Sequence, residues 1–213
     1  MSDIQILRPF GPSIVKLSIP DDLVKKLNDY TDRIILDEEK ITKLDHSNQL
    51  AGKVKQEFLL ENEFMQEIKW GEFLAKAIKV WLQDDSNKEL KSIDIIRCWI
   101  VRQFQNEYNP VHMHGGHVSG AGFLKVPKTF GKYVQNEKDG VKHYAGGTLN
   151  LIHGSKQFLS KSTFQIKPEV GDFYFFPHYL MHTVYPFKGT EDERRSISFN
   201  ANIDSEIYNV YGK

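Results

Sequence analysis

From Ile93 onward the chain is a succession of short apolar runs broken by turn residues, and this pattern restricts the fold more than any other feature of the sequence. IDIIRCWIVRQF, HVSGAGFLKVP, GGTLNLI, TFQIKP, DFYFFP, MHTVYPF and RRSISFNANI have strand length and are rich in β-branched and aromatic residues. EYNP, PEVGD and KGTEDE read as turns between them. Before residue 92 the texture is helical. IPDDLVKKLNDYTDRIILDEEK opens on Pro20, Asp21 and Asp22, which suit a helix N-terminus, and sets Leu23, Leu27, Ile34 and Leu36 roughly at helical spacing. ENEFMQEIKWGEFLAKAIKVWLQ carries one stripe of Phe64, Ile68, Phe73, Leu74, Ile78 and Leu82, which is the pattern of a core-facing helix. Helices followed by many short strands predict an α+β chain, mainly β, whose β part is a barrel or jelly roll. We expect a single domain over 1–213: a helical support region over 1–92 that braces one face of a sheet, and a β core over 93–203.

Charge excludes little and favours no partner. The 28 Lys and Arg residues equal the 28 Asp and Glu residues among 213, so no nucleic-acid partner is expected. The basic run KVPKTFGK over 125–132 reads as a solvated hairpin. No apolar run is long enough for a membrane span, and MSDIQILRPFGP lacks the basic-then-apolar order of a secretory signal. Cys98, the sole cysteine, sits in an apolar strand and reads as a buried structural thiol in a reducing, cytoplasmic compartment. Oligomeric state is left open.

Chemistry concentrates in NPVHMHGGHVSG, which holds His112, His114 and His117. Residues two apart on a strand share a face, so His112 and His114 could reach one metal ion at about 2.0–2.1 Å from each ring nitrogen. His182, in FPHYLMHTVYPF, can join them if its strand lies beside the first. His178 is its competitor and reads better as a solvated residue or one that supports the ligands. In ERRSISFN, Arg194, Ser196 and Ser198 alternate with Arg195, Ile197 and Phe199. One strand face therefore carries a guanidinium and two hydroxyls, and a buried guanidinium suits a carboxylate bidentately.

An HxH after a strand, a distal His, and Arg-x-Ser about ten residues later together resemble the iron(II)- and 2-oxoglutarate-dependent oxygenases. The carrying segments are NPVHMHGGHVSGAGFLKVP, GDFYFFPHYLMHTVYP and ERRSISFN, and the resemblance covers roughly residues 95 to 203. It implies a double-stranded β-helix, a jelly roll or cupin-like barrel, that holds Fe(II) at one open end. It also implies a hydroxylase that converts 2-oxoglutarate to succinate and CO2. His112 matches the first metal ligand and His182 the distal one. Arg194, with Ser196 beside it, matches the group that binds the far carboxylate of 2-oxoglutarate. His114 stands where the family commonly has a carboxylate. Either it is the third ligand or a water replaces the carboxylate, and His117 is the further alternative if Gly115-Gly116 bends the chain. Around this set, Tyr108, Lys125, Arg102, Tyr174 and Trp99 are candidates for the pocket, and Asp172 reads as a turn former.

Two rivals remain at this level. A cupin-type metalloenzyme also uses HxH and a distal His, but usually places a Glu about four residues later, where this chain has Val118, and it has no need of Arg194. A non-enzymatic β-sandwich binding module would carry its histidines incidentally. The substrate, a protein residue such as proline or a small metabolite, is not legible. Specificity is expected in the loop from Lys128 to Ala145 and in the N-terminal helices, because loops on a rigid scaffold carry it.

Overall fold

A computed structural model describes residues 4–7, 11–47, 52–130 and 146–209. In chain order the elements are β1 (Gln5–Leu7), β2 (Ile14–Ser18), α1 (Asp21–Ile34), α2 (Glu38–Leu44), β3 (Gln56–Leu59), α3 (Asn62–Glu67) and α4 (Trp70–Ser86). The β-rich part follows as β4 (Ile93–Gln103), β5 (Asn109–His112), β6 (Val118–Lys125), β7 (Leu149–Ile152), β8 (Thr163–Ile166), β9 (Asp172–Pro177), β10 (Met181–Val184) and β11 (Arg194–Ile203). A short terminal helix, α5 (Ser205–Tyr208), closes the described chain.

Among the described residues the strands form two antiparallel sheets. One has seven strands in the order β1-β2-β9-β6-β11-β4-β3, the other four in the order β5-β10-β7-β8. Period-two alternation sorts the large sheet's side chains into two sets. Ile197, Phe199 and Ala201 of β11 join Phe173 and Phe175 of β9 and Cys98 and Ile100 of β4 in a core with Leu27, Trp70, Leu74 and Ile78 from the helices. The opposite face sends Phe123, Tyr174 and Phe176 against Leu149, Leu151, Ile166 and Val184 of the small sheet. The result is a layer of helices, a large sheet and a small sheet. A sheet buried on both faces explains why runs such as DFYFFP are continuously apolar and not alternating. The expected bracing of one sheet face by helices is what the packing shows.

Both expected helices are broken. The first ends at Ile34, and Asp37 then caps α2 by accepting hydrogen bonds from the amides of Glu39 and Lys40. Leu36, read as part of the apolar stripe, is 86% exposed in the break. The second breaks at Lys69, whose φ is 57°. Ile68 and Trp70 are both buried; two positions apart on an unbroken helix they would point in nearly opposite directions. The left-handed residue between them lets both reach the core. The sequence reading also missed β1, β2 and β3, all within the stretch that reads as helical. EYNP is only half a turn: Asn109 and Pro110 already belong to β5. Of the loop expected over 128–145, residues 131–145 lie outside the described residues. No helix among the described residues is long and apolar enough to cross a membrane.

Candidate metal centre

His112 closes β5 and His182 lies on β10, and these two residues are direct cross-strand partners in the antiparallel pair. His114 lies two residues past the end of β5. Its backbone is held there by His178, whose carbonyl accepts from the His114 amide at 3.1 Å and whose Nδ1 bonds the His114 carbonyl at 2.9 Å. His112, His114 and His182 thereby bring one ring nitrogen each within 4.8 Å of one another. His178 serves as a support for that cluster and adds no ligand atom to it.

The hydrogen bonds decide which nitrogen each ring offers. His112 Nδ1 faces the Pro110 carbonyl at 2.7 Å and His182 Nδ1 faces the Leu180 carbonyl at 2.9 Å. A carbonyl only accepts, so both rings carry their proton on Nδ1 and present the Nε2 lone pair. His114 Nδ1 lies 2.9 Å from Ser119 Oγ, and that hydroxyl donates to Asn200 Oδ1 at 2.6 Å. With its own proton spent on Asn200, Ser119 accepts from His114 Nδ1. All three rings thus aim an unprotonated Nε2 at a common point, and His112 and His114 bring theirs to 3.1 Å. Two lone pairs that close repel unless a cation lies between them, so the donor set fits a metal ion.

Burial reinforces the neutral form. It is the main cause that pushes His182 down to about 3 and His114 down to about 4, with the neighbouring imidazoles adding to it. His112 is also lowered by burial, against the Pro110 hydrogen bond that raises it. Neutral imidazole is the form that binds metal. No carboxylate joins the group among the described residues. Asp172 opens β9 and pairs with Lys16 at 2.8 Å, so it is a strand residue and not the turn former the sequence suggests.

His117 is the correction among the histidines. Its Nδ1 bonds the backbone of Ile203 at 3.1 Å and its ring stacks on Tyr208 at 3.8 Å. Gly116 does take a positive φ of 88°, but the bend directs His117 toward the end of β11 and away from the cluster. Val118, where a cupin would have its Glu, is buried in the helix-side core.

The cluster opens into a cleft of about 300 Å³ between the two sheets. One wall is the inner face of β4 and β11: Arg97, Trp99, Val101 and Gln103, then Arg194, Ser196, Ser198 and Asn200. Apolar Leu149 and Val184 of the small sheet cover it from the other side, and Phe176 of β9 flanks it. Arg194 is 2% exposed. It donates to the Gly147 carbonyl at 3.1 Å and to Ser196 Oγ at 3.4 Å, and lies 5.1 Å over the Phe123 ring. It forms no ion pair among the described residues, and burial pushes its pKa down to about 10. A desolvated guanidinium of this kind calls for an anion.

Of the other pocket candidates, only Trp99 lines the cleft. Arg102 has the opposite parity on β4 and donates to Glu193 at 2.8 Å. Lys125, at the end of β6, is half-exposed and lies 3.8 Å from the same carboxylate. Tyr174 packs in the inter-sheet core, its hydroxyl toward Asp172 at 3.4 Å. Tyr108 is exposed and holds Lys53 through backbone bonds. Sequence reasoning missed Ser119, Asn200, Gln103 and Glu57. Asn200 was within reach, because it continues the Arg194-Ser196-Ser198 parity. Glu57 had no signal, being one acid in a stretch that reads as helical.

Residues 97–200 match a family model described as "Putative 2OG-Fe(II) oxygenase". No curated protein sequence matches the chain. Among solved structures, a prolyl-4-hydroxylase of Pseudomonas putida is 15% identical, with 89% of this chain and 91% of that one covered and a TM-score of 0.53. HygX of Streptomyces hygroscopicus, solved with nickel, 2-oxoglutarate and hygromycin B bound, is 11% identical over 90% of this chain and 83% of that one, with a TM-score of 0.56. The viral collagen prolyl hydroxylase of Paramecium bursaria Chlorella virus-1, as a 2OG complex, is 13% identical over 88% and 94%, with a TM-score of 0.52. At these identities the likeness is one of fold.

Proposed function

We propose that this chain, whose residues 97–200 match the model of a putative 2OG-Fe(II) oxygenase family, hydroxylates an organic substrate in the cleft between its sheets. His112, His114 and His182 are the metal ligands in this reading, a three-histidine set. Arg194 and Ser196 hold the far carboxylate of 2-oxoglutarate. The observation that carries it is the buried guanidinium of Arg194, without an acidic partner among the described residues, on the same cleft as three neutral imidazoles. The two sheets are read as the walls of a double-stranded β-helix, with the histidines at its open end.

Fe(II) with 2-oxoglutarate supplies a two-electron oxidation: substrate C–H, O2 and 2-oxoglutarate become substrate C–OH, succinate and CO2. The chain's own contribution is placement. The carbonyls of Pro110 and Leu180 fix the orientation of His112 and His182, and the Ser119–Asn200 pair fixes His114; such outer contacts set ligand orientation and basicity. Leu149, Phe176, Val184 and Trp99 keep the cleft apolar around the charged groups and exclude water. Arg194, Ser196, Ser198 and Asn200 follow one another along a single face of β11, so a linear keto acid has a track from the guanidinium toward the histidines. The substrate is a protein residue such as proline, as the names of two similar structures suggest, or a small metabolite.

The test is anaerobic addition of Fe(II) and 2-oxoglutarate. A visible charge-transfer band, and succinate once O2 and substrate are present, are expected. Arg194→Ala should weaken 2-oxoglutarate binding by about 100-fold, within the 2–5 kcal/mol typical of breaking a buried charge pair. Absence of both band and succinate sinks the proposal. An unchanged affinity in Arg194→Ala would favour a metalloenzyme that does without the keto acid.

A further inference from the structure

The cleft has a second polar corner that the oxygenase chemistry leaves unused. Glu57, on the edge strand β3, stands opposite Val101, which stands opposite Ser196. Glu57 therefore belongs to the inner row and lines the cleft. It is 1% exposed, and its Oε2 is buried with no hydrogen-bond partner. Asn109, from β5 of the other sheet, lines the same cleft, and its Oδ1 is likewise buried and unpartnered. That oxygen packs against Gly52, where a Cβ would collide with it. Buried polar atoms almost always have partners. Two buried polar oxygens without partners on one cavity call for a ligand that completes them.

We propose that Glu57 and Asn109 form an ammonium-binding subsite, so that the organic substrate is an amine whose protonated nitrogen is held by these two acceptors. The inference rests on reading the cleft as the oxygenase's substrate cavity. An ammonium group brings three donors and a positive charge. Once the carboxyl has given up its proton, the ammonium has donors enough for both oxygens, and its charge is what a buried carboxylate requires. A neutral hydroxyl brings a single donor and no charge. The charged neighbours leave this role open. Asp45 is the charged group that, together with burial as the larger cause, holds the Glu57 carboxyl protonated up to about 8. His46 donates its amide to the Glu57 backbone carbonyl, and its Nε2 is likewise buried without a partner. Arg97 also lines the cleft; its charge acts on His46, whereas the charge that acts on the Glu57 carboxyl is that of Asp45.

Binding should then release a proton at neutral pH, since the ammonium ionises the carboxylic acid it meets. The full chain, loaded with Zn(II) in place of Fe(II) and with 2-oxoglutarate, is titrated by calorimetry at about pH 7 in two buffers of different ionisation enthalpy. The probes are n-propylammonium and n-propanol. The amine is expected to bind at least about tenfold more tightly, with release of close to one proton, and Glu57→Gln should lose both the preference and the release. Equal binding of n-propanol, amine binding without proton release, or no amine binding overturns the inference. These outcomes are read on the wild-type chain, so a Gln variant that fails to fold does not shelter it. If Fe(II) and 2-oxoglutarate give no charge-transfer band while the amine still binds with proton release, the oxygenase reading fails and the subsite stands.

Discussion

Arg195 donates to Glu193 at 2.7 and 3.0 Å, to Asn28 Oδ1 at 3.0 Å and to Asp32 at 2.7 Å, whereas among the described residues Arg194, one residue earlier, hydrogen-bonds only a carbonyl and a hydroxyl. Strand parity sends the two guanidinium groups to opposite faces of β11. One is compensated within the fold and the other awaits an anion. Arg195→Ala should therefore unfold more readily, by about 3–5 kcal/mol for a broken buried pair, whereas Arg194→Ala acts on 2-oxoglutarate affinity. Denaturant midpoints and keto-acid titrations separate the two. Glu57 adds a pH dependence. Burial, and secondarily Asp45, raise its pKa from 4.5 to about 8, so the folded chain keeps a proton that the unfolded chain has lost in between. Its contribution to stability falls as pH rises through that window, by up to about 1.4 kcal/mol per pH unit. Glu57→Gln carries no charge in either state and should gain on the wild type between about pH 5 and pH 8. Urea midpoints at the two values check this, and a difference that does not vary with pH refutes it.

At the scale of elements, the strand runs after residue 92 were legible because turn residues punctuate them and β-branched and aromatic residues fill them. The breaks at Leu36 and Lys69 were not, because they arise from which side chains the core accepts, and helical periodicity continues across both. β3 was invisible for a related reason: QEFL is an edge strand that forms only against β4. The start of β11 is tied to its surroundings by Glu193, which receives Arg102 from β4 and Arg195, itself bound to Asp32 of α1. Burial is the largest single influence on the Glu193 carboxyl and pushes it up, but the hydrogen bonds and charges of the two arginines outweigh it and hold it below its usual value. Glu193→Ala leaves two guanidinium groups facing each other without their shared anion. A loss of about 3–5 kcal/mol is expected in chemical denaturation, larger than for removing an exposed pair such as Lys26–Asp22.

For the whole molecule, the cleft lies between two sheets, so whatever fills it links them. Metal and 2-oxoglutarate at about 100 times their dissociation constants should each stabilise the folded chain by about 2.7 kcal/mol, a rise of roughly 5–10 °C in Tm for a chain of this size. In Arg194→Ala the increment from 2-oxoglutarate should vanish while that from metal persists; a thermal melt in which both persist would count against the proposed keto-acid site. By itself the sequence determined the residue types of the site, their parity and the strand periods: HxH, the distal His182, and Arg194 sharing a face with Ser196. Those are local properties, set by the alternation of a strand and the chemistry of the side chains. Only the tertiary structure decided which groups meet. The pairing of His182 with His112 joins strands seventy residues apart, His117 is turned onto Tyr208, and Glu57 reaches the cleft from a stretch that reads as helical. Register between distant strands is set by long-range pairing and by which face the core buries, and no local window of sequence contains either.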